Sequence, residues 1–307
     1  MLFYFTFAWL LVQKKSVMQN YKTNCFNSDN LTIKCGDNTI NFRNPLVMGI
    51  LNLTPDSFYD GGSYLNEENI IKRASQMLEE GADIIDLGAY STRPGAAEVS
   101  AAEEYKRMAP AVKCVRKEFP KAILSIDTFR AEIASKIVEE FGACIINDIS
   151  GGTLDESMYE TVARLKVPYI MMHIKGTPQN MQKNPEYDDL MGELMDFFEK
   201  RIKKLNSLGC KDIILDPGFG FGKTLVHNYE IVARLKEFNI FNLPVLIGVS
   251  RKSMIYKFLG GDPSTSLNGT TALNMISLER GASILRVHDV KEAVECVKLY
   301  SKIKLQS

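Results

Sequence analysis

The residues best suited to chemistry in this 307-residue chain are polar side chains that each come directly after a short apolar run. In chain order they are Asn52, Asp86, Asp127, Asn147, His173, Asp216, Ser250, and then Arg286 with His288. One polar residue at such a position is commonly only a cap or a turn former. A recurring set of carboxylates, amides and cations suits a heterocycle that exchanges hydrogen bonds and carries an anionic group. The pattern therefore predicts a small-molecule site.

Four segments beside these residues carry more candidate chemistry. Their sequences are NLTPDSFYDGG at 52–62, YSTRPG at 90–95, DPGFGFGK at 216–223 and SRKS at 250–253. The first has the length and composition of a lid. The third matches neither glycine-rich nucleotide fingerprint, and its composition leaves open a plain surface loop in which Lys223 caps a helix. The fourth begins a predicted helix, so its backbone N–H groups and two cations predict an anion site.

Eight short apolar runs are predicted to be the strands that position these residues. They are nearly continuous in Val, Ile, Leu and Met, which is typical of parallel strands buried on both faces. They span 45–50, 83–87, 122–126, 143–147, 168–172, 212–215, 244–249 and 283–287. Between them, apolar residues step by three and four, which indicates amphipathic helices. Eight βα units predict a single (β/α)8 TIM barrel, an α/β fold whose active site lies at the carboxyl ends of the strands.

Composition narrows the class of ligand. Lys plus Arg and Asp plus Glu both total 37, so the net charge is zero, whereas an extended nucleic-acid site normally needs a basic excess. We therefore predict small-molecule substrates and no nucleic acid. The six cysteines form no CxxC pair, and several lie in apolar segments. This usage favours reduced thiols in a cytoplasmic protein.

The chain begins with MLFYFTFAWLLVQKKS, an apolar stretch that lacks the positive start of a signal peptide. Its twelve apolar residues are too few to span a bilayer. Because Met18 opens an ordinary polar segment, an overcalled start codon or leader is favoured over a weak membrane anchor for residues 1–17. We predict an N-terminal extension over 1–39, one barrel domain over 40–307, and no stable membrane association.

The motifs in this order resemble the dihydropteroate synthase family. They are MGILNLTPDSFYDGG, STRPG, SIDT, NDISGG, MMHIKGTPQNM, DPGFGFGK, SRKS and RVHDV, and they run from residue 48 to residue 290. The resemblance implies a transferase of folate biosynthesis. Such an enzyme condenses p-aminobenzoate with 6-hydroxymethyl-7,8-dihydropterin diphosphate and releases pyrophosphate, with Mg²⁺ as cofactor. It also implies a sulfonamide target and a homodimer.

The resemblance implies three groups of binding residues. For the pterin ring they are Asp127, Asn147, Asp216 and Lys252. For the diphosphate they are Asn52, Arg93, Arg286 and His288, with Asn52 as the Mg²⁺ ligand. For p-aminobenzoate they are Phe58, Thr92, Pro94, Phe221, Lys252 and Ser253.

The family mechanism is dissociative, so pyrophosphate leaves first and a cation is delocalised over the pterin. The implied catalytic residues are Asp127, Lys252, Arg286 and His288. Asp127 would stabilise the cation, while Arg286, His288 and the metal would stabilise the leaving group. If Asp216 holds the pterin and Arg286 only the diphosphate, Arg286→Ala would leave binding of the bare pterin nearly unchanged.

Two alternatives remain open at this point. One is a pterin-binding methyltransferase of the same barrel type, against which the TPDSF and SRKS segments argue. The other is a noncatalytic pterin-binding homologue, although Asn52, Arg93, Lys252 and Arg286 are all present. One departure from the family is Tyr90, where many relatives carry an acidic residue. His173 and His227 are expected to be hydrogen-bonded neighbours of the site and not catalysts.

Overall fold

The computed structural model describes residues 31–53, 67–90 and 99–306. Ten strands lie in these residues. They are β1 (Thr32–Cys35), β2 (Asn38–Asn41), β3 (Leu46–Asn52), β4 (Ile84–Gly88), β5 (Ile123–Asp127), β6 (Ile145–Asp148), β7 (Tyr169–Met172), β8 (Ile213–Asp216), β9 (Leu246–Ile247) and β10 (Ile284–Val287). The first two pair antiparallel, and all the others are parallel.

The parallel strands form one sheet in the order β8-β7-β6-β5-β4-β3-β10-β9. A parallel bridge between Leu215 and Val245 joins its two edges. The Leu215 amide also donates to the carbonyl oxygen of Pro244 at 2.9 Å. The sheet therefore closes on itself, and the predicted (β/α)8 barrel is confirmed.

Helices cover the outer face of this barrel. Those in the described residues are α1 (Glu67–Glu80), α2 (Ala101–Glu118), α3 (Ala131–Phe141), α4 (Met158–Leu165), α5 (Leu190–Ser207), α6 (Leu225–Arg234), α7 (Ser253–Leu259), α8 (Leu267–Glu279) and α9 (Val290–Lys304). Their spacing of apolar residues explains their placement, since Met108, Val112 and Val115 lie on one face of α2 and are buried against the sheet.

All eight predicted strands begin and end within two residues of their observed bounds. The run at 244–249 is shortened at both ends, so that only Leu246–Ile247 is a strand. Pro244 has no N–H to donate to a ladder. At the other end, the Lys252 amide donates to the Val249 carbonyl oxygen at 3.1 Å, so the backbone is already turning toward α7.

Successive residues of each strand point alternately into the barrel and toward the helices. At the amino end, the interior is filled by a layer of apolar side chains: Met48, Ile84, Ile145, Ile170, Ile214, Leu246 and Ile284. One position further along the interior, the same strands carry polar residues such as Asp86, Asn147 and Arg286. The apolar layer is thus the base on which the polar site rests.

The β1–β2 hairpin covers the amino end of the barrel. Ile33, Cys35, Ile40 and Phe42 are at most 4% exposed and pack against the apolar base. The hairpin turns at Gly36, whose φ of 59° suits a residue without a Cβ. The predicted domain boundary at residue 40 falls inside β2, so the hairpin belongs to the packed barrel and that boundary is too late. The predicted leader or overcalled start at 1–17 lies outside the described residues.

The cysteines of the described segments are buried and form no disulfide: Cys35, Cys114, Cys144, Cys210 and Cys296. Burial raises the pKa of Cys144 to about 12, so its thiol stays protonated and unreactive. Their role as small apolar residues is as predicted. In the same segments, none of the helices has both the length and the apolar character needed to cross a bilayer.

Candidate active site

The carboxyl ends of the strands bring the predicted site residues together. Asn52, Asp127 and Asp216 are the last residues of β3, β5 and β8. Asn147 and Arg286 lie one residue before the ends of β6 and β10. Because parallel strands of a closed barrel all end on one side, these side chains share one opening. Phe58, Thr92, Arg93 and Pro94 lie outside the described residues, and their predicted roles stay predictions.

A charged cluster occupies the centre of the opening. The Arg286 guanidinium donates from Nε to Asp86 Oδ2 at 2.7 Å and from Nη2 to Asp127 Oδ2 at 2.7 Å. Asn147 Nδ2 lies 3.2 Å from Asp86 Oδ2 and donates to the same carboxylate. Asp86 is fully buried, whereas the Asp127 side chain is 17% exposed. Asp127 is therefore the carboxylate of the cluster that a ligand can reach.

Two carboxylates share one cation in this cluster, so one negative charge is left over. Burial raises the pKa of Asp127 to about 7. The charge of Arg286 lowers this pKa, and the carboxylate of Asp86 raises it further. For Arg286, burial alone would lower the pKa, but the charges of Asp86 and Asp127 raise it above its usual value. Arg286 is a permanent cation, and Asp127 is the group whose charge changes near neutral pH.

Asp216 and Lys252 form the opposite side of the opening. Asp216 is 6% exposed, and its Oδ1 accepts from the Gly218 amide at 2.7 Å. Burial raises the pKa of Asp216, while the charge of Lys252 opposes the rise. Lys252 Nζ donates to the Phe219 carbonyl oxygen at 2.5 Å and lies 4.9 Å from the centre of the Phe221 ring. Burial lowers the pKa of Lys252 to about 8.

The SRKS segment departs from its prediction in one respect. Helix α7 begins at Ser253, with Lys252 at the N-cap position. Arg251, however, donates to both carboxylate oxygens of Asp289, at 2.9 and 2.7 Å, and to the carbonyl oxygen of Pro263. The prediction that both cations serve an anion site was wrong for Arg251, because Asp289 at the start of α9 neutralises it.

Of the other residues predicted for the diphosphate, His288 and Asn52 lie in the described part of the chain. The His288 amide donates to Ser250 Oγ at 3.1 Å, and Arg73 Nη2 donates to the His288 carbonyl oxygen at 2.8 Å. These bonds fix the backbone just after β10, next to Arg286. Asn52 is half-buried at the end of β3, the strand beside β10.

A magnesium ion at Asn52 is compatible with this donor set. In the described residues, His, Cys, Asp and Glu side chains form no group of three that could hold a metal. Mg²⁺ in phosphate-transferring sites is commonly held by one or two protein oxygens, with phosphate oxygens and waters completing the shell. The amide oxygen of Asn52 is a ligand of that kind.

Two histidines hold loops in place. His227 closes a capping box with Thr224 at the start of α6. His173 is 6% exposed, and burial lowers its pKa well below the usual value, so its ring is neutral. Its Nδ1 lies 2.9 Å from Lys223 Nζ. Lys223 is itself 3% exposed, so the alternative of a surface loop with a helix-capping lysine was wrong.

Asp86 and Tyr90 make contacts that the sequence motifs do not predict. Asp86 is the inward residue of β4 and is paired in register with Ser125 of β5, a signal that the alternation of the strand already contained. The Tyr90 ring meets the Phe129 ring edge to face at 5.2 Å and lies 5.5 Å from the Arg130 guanidinium. Tyr90 therefore packs against residues that follow β5.

The chain is similar to known proteins over most of its length. The model of the pterin binding enzyme family matches residues 48–288. Dihydropteroate synthase of Escherichia coli (strain K12) is 44% identical over 263 residues, which cover 85% of this chain and 92% of that protein. A crystal structure of the Yersinia pestis dihydropteroate synthase with a sulfonamide drug has a TM-score of 0.83 at 42% identity and covers 89% of this chain and 99% of that chain.

A second solved structure is that of the Thermus thermophilus dihydropteroate synthase in complex with 4-aminobenzoate. Its TM-score is 0.79 at 34% identity, and the match covers 89% of this chain and all of that chain. The fold and the site thus define a pterin-binding barrel enzyme. The chain belongs to the pterin binding enzyme family, and within it to the dihydropteroate synthases. The predicted family and its transferase activity are confirmed.

Proposed function

We propose that the charged cluster and the Asp216–Lys252 side of the opening together condense p-aminobenzoate with 6-hydroxymethyl-7,8-dihydropterin diphosphate. The products are 7,8-dihydropteroate and pyrophosphate. The observation that carries the proposal is the placement of Arg286 between two carboxylates, 2.7 Å from Asp127, at the same barrel opening as Asp216 and Lys252. A cationic intermediate and an anionic leaving group each find a complementary charge there.

The pterin ring is proposed to lie against Asp127, Asn147, Asp216 and Lys252. A 2-amino-4-oxo heterocycle presents adjacent N–H donors, which a carboxylate such as Asp216 accepts as a pair. Lys252 supplies a donor for the ring oxygen and nitrogen acceptors. Because the low-dielectric base of apolar side chains lies directly below, each of these hydrogen bonds discriminates strongly against a ring that lacks the matching group.

The diphosphate is proposed to bind near Asn52, Arg286 and His288, with Arg93 from the segment outside the described residues. Bound Mg²⁺ would neutralise charge on the diphosphate, with Asn52 as its protein ligand. Arg286 stabilises the negative charge that develops on the departing oxygen, since its guanidinium stays charged at any physiological pH.

Chemistry at the pterin methylene needs no strong protein base. The bond from the methylene carbon to the diphosphate oxygen breaks first, and the electron pair leaves with pyrophosphate. The amine of p-aminobenzoate then donates its lone pair to the methylene carbon, and the resulting acidic anilinium loses its proton to solvent water. Asp127, which carries the unbalanced negative charge of the cluster, stabilises the pterin cation between these two steps.

p-Aminobenzoate is proposed to bind near Phe221, Lys252 and Ser253, together with Phe58, Thr92 and Pro94. The Phe221 ring offers an apolar face to the aromatic substrate. Lys252 Nζ lies beside that ring and complements the carboxylate of the substrate. Lys252 thus lies where it can contact both substrates.

Release of pyrophosphate that depends on p-aminobenzoate tests this function. The purified full chain is expected to release one pyrophosphate for each dihydropteroate formed, and only with Mg²⁺ and the diphosphorylated pterin present. A methyltransferase would act on a methylated folate and ignore the diphosphate. A noncatalytic homologue would bind the pterin in calorimetry and release no pyrophosphate.

Sulfonamides are expected to compete with p-aminobenzoate and not with the pterin. They present an aniline ring and an acidic group, so they would use the Phe221 face and the Lys252 charge in the same way as the substrate. Steady-state kinetics should show a higher apparent KM for p-aminobenzoate and an unchanged kcat. Inhibition that extra p-aminobenzoate does not relieve would contradict the proposed pocket.

A homodimer through α8 and α9 is proposed from their exposed apolar residues. Ile276 is 40% exposed, Leu299 61% and Ile303 56%, and such patches commonly mark interfaces. Light scattering should give twice the chain mass of 34.5 kDa. The double substitution Leu299→Glu, Ile303→Glu should give the monomer mass, whereas Leu208→Glu, at a 37% exposed position after α5, should leave the dimer intact. A monomeric wild-type chain would refute the dimer.

A cytoplasmic location is proposed from the buried thiols, since oxidising compartments favour disulfides. Cell fractionation that returned the enzyme with the membranes would contradict it.

A further inference from the structure

Lys223 lies at the centre of the glycine loop, defined here as residues 217–223 between β8 and the Thr224 cap of α6. Its Nζ lies 3.0 Å from the carbonyl oxygens of both Gly218 and Phe221. His173 begins the loop that follows β7, called the β7 loop below. Its carbonyl oxygen lies 3.3 Å from Lys223 Nζ, and its Nδ1 lies 2.9 Å from the same atom. Three carbonyl oxygens and one histidine ring nitrogen from two loops thus surround Lys223 Nζ. The three carbonyl oxygens account for the three N–H groups of the ammonium, which leaves none for a substrate.

Three more carbonyl groups of the glycine loop accept hydrogen bonds from side chains outside it. Lys252 Nζ donates to Phe219, Gln182 Nε2 to Gly220 at 2.6 Å, and Tyr187 OH to Gly222 at 2.7 Å. Every carbonyl oxygen from Gly218 to Gly222 therefore has a side-chain donor. Buried carbonyl groups outside regular structure need such partners, and Lys223 supplies two of the five.

The backbone leaves little room for the loop to move. Gly218 has a φ of 72°, and a Cβ there would lie 1.9 Å from the His173 carbonyl oxygen. Gly222 has a φ of 62°, and a Cβ there would lie 2.4 Å from the Lys175 carbonyl oxygen. The two loops are in direct backbone contact at both glycines, and the Lys223 ammonium lies between them as their shared donor.

Two hydrogen bonds connect the glycine loop to Asp216 and Lys252 on the pterin side of the opening. The Gly218 amide donates to Asp216 Oδ1 at 2.7 Å, and the Phe219 carbonyl oxygen accepts from Lys252 Nζ at 2.5 Å. The loop thereby sets the direction of the Asp216 carboxylate and the position of the Lys252 ammonium. Both groups contact substrate in the proposed function, whereas the hydrogen bonds of Lys223 Nζ go only to the loop and His173.

We infer that Lys223 is a positioning residue for pterin binding, which acts by holding the glycine loop and the β7 loop in the one arrangement that aims Asp216 and Lys252 at the ring. The inference rests on the proposed pterin site. A direct role of the Lys223 charge on the diphosphate is the competing explanation, and the two differ in which ligands lose affinity.

Lys223→Met tests the inference because methionine fills the same volume and cannot donate. Calorimetry on the folded full-length variant should show dissociation constants at least tenfold higher for both 6-hydroxymethylpterin and its diphosphate, by the same factor. A loss confined to the diphosphate would mean direct contact. A lower melting temperature with both constants unchanged would mean a merely structural role. Either result overturns the inference.

Two further variants complete the experiment. Lys203→Met removes an exposed ammonium on α5 whose partner is Glu199, and both constants should match wild type. Should Lys223→Met fail to fold, Tyr187→Phe decides, since it frees only the Gly222 carbonyl oxygen. A two- to threefold rise in both constants supports the inference, and unchanged constants overturn it. Failure of wild type to bind either pterin would instead refute the proposed function.

Discussion

Arg286→Ala is expected to lower kcat for pyrophosphate release by about a hundredfold or more. Removing one charge-stabilising donor from a preorganised site typically costs about 10² to 10³ in kcat. Arg286 meets this description because two carboxylates hold its guanidinium. Its Nη2 lies 2.6 Å from Asp86 Oδ2 and 2.7 Å from Asp127 Oδ2. Its position therefore does not need to change when negative charge develops on the leaving group.

The same ion pairs change what Arg286→Ala should do to binding. Sequence reasoning alone expects the bare pterin to bind nearly as well as before. In the structure, the variant leaves Asp86, fully buried, and Asp127 without their cation, and removing one partner of a buried pair costs about 3 to 5 kcal/mol. We therefore expect a lower melting temperature and weaker binding of 6-hydroxymethylpterin as well.

Arg286→Lys separates the two roles of the guanidinium. Lysine keeps the charge and reaches one carboxylate, but it cannot bridge Asp86 and Asp127 with two fixed N–H groups. We expect it to restore most of the melting temperature and of the bare-pterin affinity, while kcat stays at least tenfold below wild type. Stopped-flow and calorimetric measurements on the three proteins check this. Turnover of Arg286→Ala within tenfold of wild type would remove Arg286 from the proposed chemistry.

The sequence predicts the barrel well because buried parallel strands leave a strong pattern. Continuous Val and Ile runs locate the strands, and the residues after them locate the rim, so Asn52, Asp127 and Asp216 are found at strand ends as predicted. The alternation of side chains along a strand also predicts that Asp86 points into the barrel, because it is on the inward face of β4. The family motifs give Asp86 no role, because it contacts Arg286 and Asn147 and not a substrate.

Other features depend on contacts that no local pattern carries. Arg251 and Lys252 are adjacent in the chain, and only the position of Asp289, 38 residues later, decides which cation faces the site. The burial of Lys223 follows from the meeting of two loops 50 residues apart. The β1–β2 hairpin has too few residues for a sequence signal, yet Phe42 is 1% exposed against the barrel base.

Asp127→Asn is expected to lower kcat by about a hundredfold at pH 8 and to remove the acidic limb of the pH profile. With a pKa of about 7, Asp127 is ionised above neutral pH and protonated below it. Only the anion stabilises a pterin cation, so kcat/KM of wild type should fall about tenfold per pH unit below pH 7. Asparagine keeps the shape of the side chain and its hydrogen-bonding oxygen, but it cannot carry the charge.

The profile of kcat/KM between pH 5.5 and 9, measured at saturating Mg²⁺ for wild type and variants, tests the role of Asp127. Asp212→Asn is the matched control, because Asp212 lies at the amino end of β8 and accepts from the Lys34 amide, so its profile should follow wild type. Above pH 8, deprotonation of Lys252 should lower kcat/KM in wild type and Asp127→Asn alike, since burial lowers its pKa to about 8. If Asp127→Asn keeps the acidic limb, that limb belongs to another group, either Asp216, whose pKa burial also raises, or the diphosphate of the substrate, and Asp127 is not the group that stabilises the cation.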